Sequence, residues 1–87
     1  MQTKPFSQPI AIRTDGGNTE IVSTAAALDF LTGHWPVARG PRAEDAVETC
    51  LKVLEGYRST VDAETTFREA AREAGILADA AEPGRQE

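Results

Sequence analysis

Apolar residues recur at more than one spacing along this chain. Over residues 10–13 they alternate: Ile10 and Ile12 fall on one face, Ala11 and Arg13 on the other, the period of a half-buried strand. A second β-branched run, Thr19-Glu20-Ile21-Val22, comes after Asp15-Gly16-Gly17-Asn18, four residues that tolerate positive φ. Two short strands around a glycine-rich turn predict a hairpin. Neither a helix start nor a P-loop lysine follows the glycines at the spacing a phosphate loop needs, so they read as a turn.

The period then lengthens to that of a helix. Ser23 and Thr24 are residues whose hydroxyls cap helix starts, and Ala25-Ala26-Ala27-Leu28-Asp29-Phe30-Leu31 has high helix propensity. Ala27, Leu28 and Leu31 share a face, and Gly33 is placed to end the helix. A second helix is predicted over residues 41–55, with Pro41 at its first position and Glu44 and Asp45 in the turn the macrodipole favours. Its apolar face reads Ala43, Ala46, Val47, Cys50, Leu51, Leu54 and Tyr57, and Glu48 and Lys52 form an i,i+4 pair on the other side. Gly56 marks its stop. A cap at Thr60 or Asp62 opens a third helix to about Gly75, with Ala63, Phe67, Ala70, Ala71 and Ala74 inward, and Gly75-Ile76-Leu77 reads as a C-cap with a hydrophobic residue tucking back.

The fold expected is α+β, a two-stranded antiparallel hairpin packed against three helices (ββααα). One domain spans residues 9–77, between a loose proline-containing arm at 1–8 and a polar, disordered tail at 78–87. Between the first two helices, Gly33-His34-Trp35-Pro36-Val37-Ala38-Arg39-Gly40-Pro41-Arg42 holds the chain's sole tryptophan and sole histidine. The pre-proline Trp35 is extended and plugs the junction of hairpin and helices, so it is expected to be buried.

Charge and composition narrow the function more than they name it. A net charge of −5 argues against a general nucleic-acid binder, which needs a basic face. With one cysteine, Cys50, neither an intramolecular disulfide nor a multi-cysteine zinc site can form, and a reducing compartment is the natural inference. Residues 1–7 do not resemble a signal peptide, and no apolar run approaches the roughly 18 residues of a membrane span. The chain therefore reads as cytoplasmic, without nucleic-acid or membrane partners.

Candidate chemistry is sparse. His34 and Trp35 offer an exposed neighbour and an indole for a partner contact. Arg39 and Arg42, at the start of the second helix, are placed to bind an anion together with free backbone N–H groups, although Pro41 removes one donor and Glu44 and Asp45 already supply negative charge. Cys50 lies on an apolar face and reads as a small buried hydrophobe; as a nucleophile it would need His34 as base. Glu44, Asp45 and Glu48 read as a solvated face rather than a metal site.

Trp35-Pro36, Arg39-Gly40-Pro41, Ala46, Cys50, Leu54, Gly56, Phe67, Ala70, Ala71 and Ala74 stand in an order that resembles the bacterial family DUF982, domain of unknown function, over roughly residues 6–77. That pattern runs strand, turn, strand, helix, W-P, G-P, a helix with A-x-x-x-C and a closing helix with F-x-x-A-A-x-x-A. This chain departs from it at Thr65-Thr66, where the family often carries Ala-Arg. The resemblance implies small proteins without an established activity and supplies no catalytic residue.

The expectation is a non-enzymatic binding or protein-interaction module, without cofactor or metal. Its partner is expected at the hairpin edge, either a foreign protein or a second copy of the chain. Arg13 and Glu20 are the sole charges in the strands to guard that edge. The alternatives are a small-anion or metabolite sensor built on Arg39 and Arg42 and, third, an enzyme.

Overall fold

The computed structural model of the chain describes residues 5–14, 17–36 and 38–78. Strands β1 (Pro5–Thr14) and β2 (Gly17–Ser23) pair antiparallel, followed by α1 (Thr24–Gly33), α2 (Pro41–Leu54) and α3 (Thr60–Ala74). This is the ββααα arrangement. A lone hairpin is marginal in water; here Ile10, Ile12 and Ile21 on one face are closed over by α1 and α3, with α2 packed on both helices.

The hairpin is longer than its aliphatic alternation. Pro5–Gln8, expected in a loose arm, belong to β1, and Phe6 reaches the core. Ser7 explains the gain: its N–H and hydroxyl donate to the Glu64 carboxylate of α3 at 2.6 and 3.0 Å. The register shifts between Pro5 and Ile10, an irregularity that admits two prolines into one strand. At the other end Gly17 and Asn18 lie in the ladder, opposite Thr14 and Arg13, so the turn is tighter than the four residues expected. Gly17 takes φ of 121°, open to glycine at little cost.

Each helix end has a local cause. Ser23 caps α1 by accepting from the Ala26 N–H at 3.1 Å. Gly33 remains helical and the His34 N–H closes the last turn on the Phe30 carbonyl. Gly40 and Pro41 open α2 as expected, and Ser59, rather than Thr60 or Asp62, is the residue before α3. Gly75 is left-handed at φ 76°, and the Ile76 N–H returns to the Ala71 carbonyl, which folds the Ile76 side chain into the core.

Burial along α1 and α2 departs from the expected faces. The inward stripe of α2 is Ala43, Ala46, Thr49, Cys50 and Val53. Leu51 and Tyr57 face outward, and Val47 and Leu54 are half-buried. The sequence carries two adjacent stripes, 43-46-50-53 and 47-51-54, and periodicity does not choose between them. The stripe with two alanines lets α1 and α3 approach more closely, and it is the one buried. In α1, Phe30 takes the buried place expected for Leu28.

The segment after α3 is not loose at its root. Arg13 N–H donates to the Ile76 carbonyl at 2.7 Å and Ala78 N–H to the Ala11 carbonyl at 2.9 Å, an antiparallel bridge centred on Ile12 and Leu77. Arg13 also donates from its guanidinium to the Gly75 carbonyl at 3.0 Å. Residues 1–4 of the expected arm and 79–87 of the expected tail lie outside the described residues.

Candidate functional site

The bridge at Leu77 decides which sheet edge is open. Backbone direction alternates along a strand. Ala11 and Arg13 point their N–H and C=O groups at residues 76–78, so Ile10, Ile12 and Thr14 point theirs at β2, where they meet Ile21, Thr19 and Gly17. Asn18, Glu20 and Val22 must then direct theirs away from β1. No other strand lies there among the described residues, and all three side chains are exposed, Val22 by 50%. The outer edge of β1 is blunted by the bridge and by Pro5 and Pro9, which have no N–H to offer. The edge of β2 has neither protection.

Beside that edge lies a groove of about 570 Å³. It forms because the core face of the hairpin runs past the end of its helical cover. The core-facing positions change from Ile10, Ile12 and Ile21 to Thr14 and Thr19 towards the turn. Thr19, Glu20 and Ile21 of β2 form one wall, and Ala26, Asp29 and Phe30 of α1 form the other. His34 and Pro36 close the end. Asp29 and His34 approach to 3.9 Å, with side chains 80% and 66% exposed.

Trp35 is half-buried, less than expected, because it lies against the core from outside. Its ring stands edge-on to Phe30 at 5.7 Å and to Phe67 at 6.0 Å, and those two rings meet edge-on at 6.4 Å. Phe67 is fully buried, so it is Phe67, with Trp35 over it, that plugs the junction. His34 turns the other way, to the groove.

Arg39 and Arg42 are each drawn to nearer partners. Arg39 pairs with Glu44 at 3.5 Å and donates to the Leu31 carbonyl at 3.4 Å, while Arg42 pairs with Glu69 at 3.0 Å. The first turn of α2 also has a resident anion: the Glu73 carboxylate accepts from the Arg42 N–H at 3.3 Å. A Cβ at Gly40 would sit 3.0 Å from that carboxylate, so glycine here lets Glu73 reach the helix start. Among the described residues, no group of three or more His, Cys, Asp or Glu is arranged to hold a metal ion.

Cys50 is fully buried, and burial pushes its thiol up to about 11. The reactive thiolate is thereby suppressed at neutral pH. His34 lies at the surface beside Asp29, not in the core with Cys50.

The family described as "Protein of unknown function (DUF982)" matches residues 8–78. The chain belongs to the DUF982 family. The match runs from inside β1 to Ala78, so the bridging residues Ile76, Leu77 and Ala78 fall within DUF982 as well. The NMR structure of the Agrobacterium tumefaciens protein Atu1219, a structural genomics target, is similar at 30% identity with a TM-score of 0.73. The alignment covers 97% of this chain and 86% of that one. No curated protein matches. Among the described residues, no helix is long and apolar enough to cross a membrane.

Of the residues singled out from sequence, His34 lines the groove, Trp35 backs it through Phe30, and Arg39 and Arg42 are held in ion pairs. Thr19, Asp29 and Phe30 were not anticipated there. One signal pointed to them: threonines at core-facing strand positions mark where a sheet loses its cover.

Proposed function

We propose that this chain is a cytoplasmic, non-enzymatic binding module that takes an extended segment of a protein partner along β2. The observation that carries the reading is the outward-directed backbone of Asn18, Glu20 and Val22, which meets no other strand among the described residues and runs beside a groove between β2 and α1. Strand addition satisfies such an edge with main-chain hydrogen bonds, and the groove takes alternate side chains of the incoming strand. The anion-sensor reading has less support, since Glu73 already occupies the first turn of α2 and Glu44 and Glu69 hold the arginines.

A panel of displayed random peptides tests the proposal. Bound peptides should move the amide resonances of residues 17–23 and 26–34, and Val22→Pro should abolish binding. The Val22 N–H points outward, so proline there removes no bond to β1, whereas proline at Ile21 would break the ladder itself. Peptides that bind Val22→Pro as tightly as the wild type would rule this edge out.

A further inference from the structure

We infer that the segment β2 accepts carries a cationic side chain between two β-branched apolar ones, and that it is not a second copy of this chain. The inference rests on the strand-addition reading and adds the chemistry of the partner. Along β2, Thr19 and Ile21 carry their side chains on the groove side; Glu20, paired with Ala11, is part of the groove wall but carries its side chain on the other face of the hairpin. A strand laid on this edge therefore presents two groove-facing residues opposite Thr19 and Ile21, with one residue opposite Glu20 between them. The groove-facing pair meets Ile21, Ala26 and Phe30, which suits β-branched apolar side chains.

Glu20 sets the charge. Arg13, the other charge within the two strands, gives its guanidinium to the Gly75 carbonyl at 3.0 Å. Among the described residues Glu20 is in no ion pair. The whole chain carries −5, which favours a cationic partner in general. The complement is a lysine or arginine opposite Glu20.

The same residue argues against self-pairing. Glu20 is the central residue of Gly17–Ser23, so the antiparallel pairing that uses the full strand places Glu20 of one copy opposite Glu20 of the other. Like charges directly opposite destabilise a sheet, and shorter registers that avoid the clash give up hydrogen bonds at both ends.

The test uses three capped peptides with the cores Val-Lys-Val, Val-Gln-Val and Val-Glu-Val, each flanked by threonine, against the full chain. The readouts are amide exchange at Asn18, Glu20 and Val22 and titrated chemical shifts. Val-Lys-Val should slow exchange at those three amides and bind about tenfold more tightly than Val-Glu-Val. Glu20→Lys should reverse that order, and Glu20→Gln, which keeps the shape, should level it. Equal binding of all three peptides with protection of the edge would leave strand addition standing and overturn the cationic partner. Failure of every peptide to protect the edge at millimolar concentration would overturn both. Protection that rises with protein concentration alone would name a second copy as the occupant and overturn the partner inferred here.

Discussion

Replacing Phe67 with alanine probes the packing that holds the hairpin to the helices. Phe67 is fully buried and meets Phe30 and Trp35 edge-on at 6.4 and 6.0 Å. Withdrawing its ring forfeits about 2–3 kcal/mol of transfer free energy. The cavity left by partial collapse adds about 1 kcal/mol. The lost ring contacts bring the sum to about 4 kcal/mol, a large part of the roughly 4–13 kcal/mol expected for a domain of this length. In urea, with a slope of about 1–1.5 kcal/mol per molar, the midpoint should fall by about 3 M, or the variant should not fold. Phe67→Leu, which keeps most of the volume, should lose about 1–1.5 kcal/mol and stay measurable. Trp35 reports on the same site by fluorescence in the Phe67 variants, and a double cycle of Phe67→Leu with Trp35→Phe, followed by circular dichroism because it removes the sole tryptophan, should show non-additivity. A Phe67→Ala midpoint within about 0.5 M of wild type would refute this account of the junction.

Other consequences can be checked separately. Because burial raises the Cys50 thiol from 9.0 to about 11, the folded state holds that proton more tightly than the unfolded one. The stability it confers is complete below pH 9 and lost as pH rises to about 11, by roughly 2 kcal/mol, and Cys50→Ala should flatten that window in denaturant titrations. Ala78→Pro removes the donor to the Ala11 carbonyl, so it should cost about 1 kcal/mol and speed amide exchange at Arg13. Glu73→Ala vacates the start of α2 and should cost about 0.5–1 kcal/mol, less in high salt, as read from the thermal midpoint. Arg58 donates to Asp62 at 3.0 Å and holds its carboxyl below the usual range, so Arg58→Ala should raise the Asp62 titration midpoint measured by NMR.

Element types were legible because each has a local cause: alternation at Ile10 and Ile12, the Ser23 cap, Gly40-Pro41 before α2, and left-handed Gly75. What was not legible depends on contacts distant in sequence. Ser7 joins β1 because Glu64, 57 positions away, accepts from it. The 43-46-50-53 stripe of α2 outcompetes 47-51-54 through packing on α1 and α3, which helical periodicity does not encode. The sequence raises a hairpin edge as the expected docking place, but which edge is open follows from residues 76–78, which the sequence presents only as the end of a helix. Arg39 and Arg42 illustrate the same gap. Their clustering in sequence suggested convergence on an anion; of the carboxylates that take its place, Glu44 is a sequence neighbour already visible there, while Glu69 and Glu73 come from α3, distant in sequence.

Amide hydrogen exchange over Gly17–Ser23 in the isolated chain tests the central claim most directly. If β2 is an open edge, Asn18, Glu20 and Val22 exchange quickly while Thr19 and Ile21, bonded to Ile12 and Ile10, exchange slowly. That alternation should hold unchanged across a wide dilution. Uniform slow exchange along the strand in the dilute monomer would mean that the edge is already covered, and the binding site proposed for β2 would be wrong.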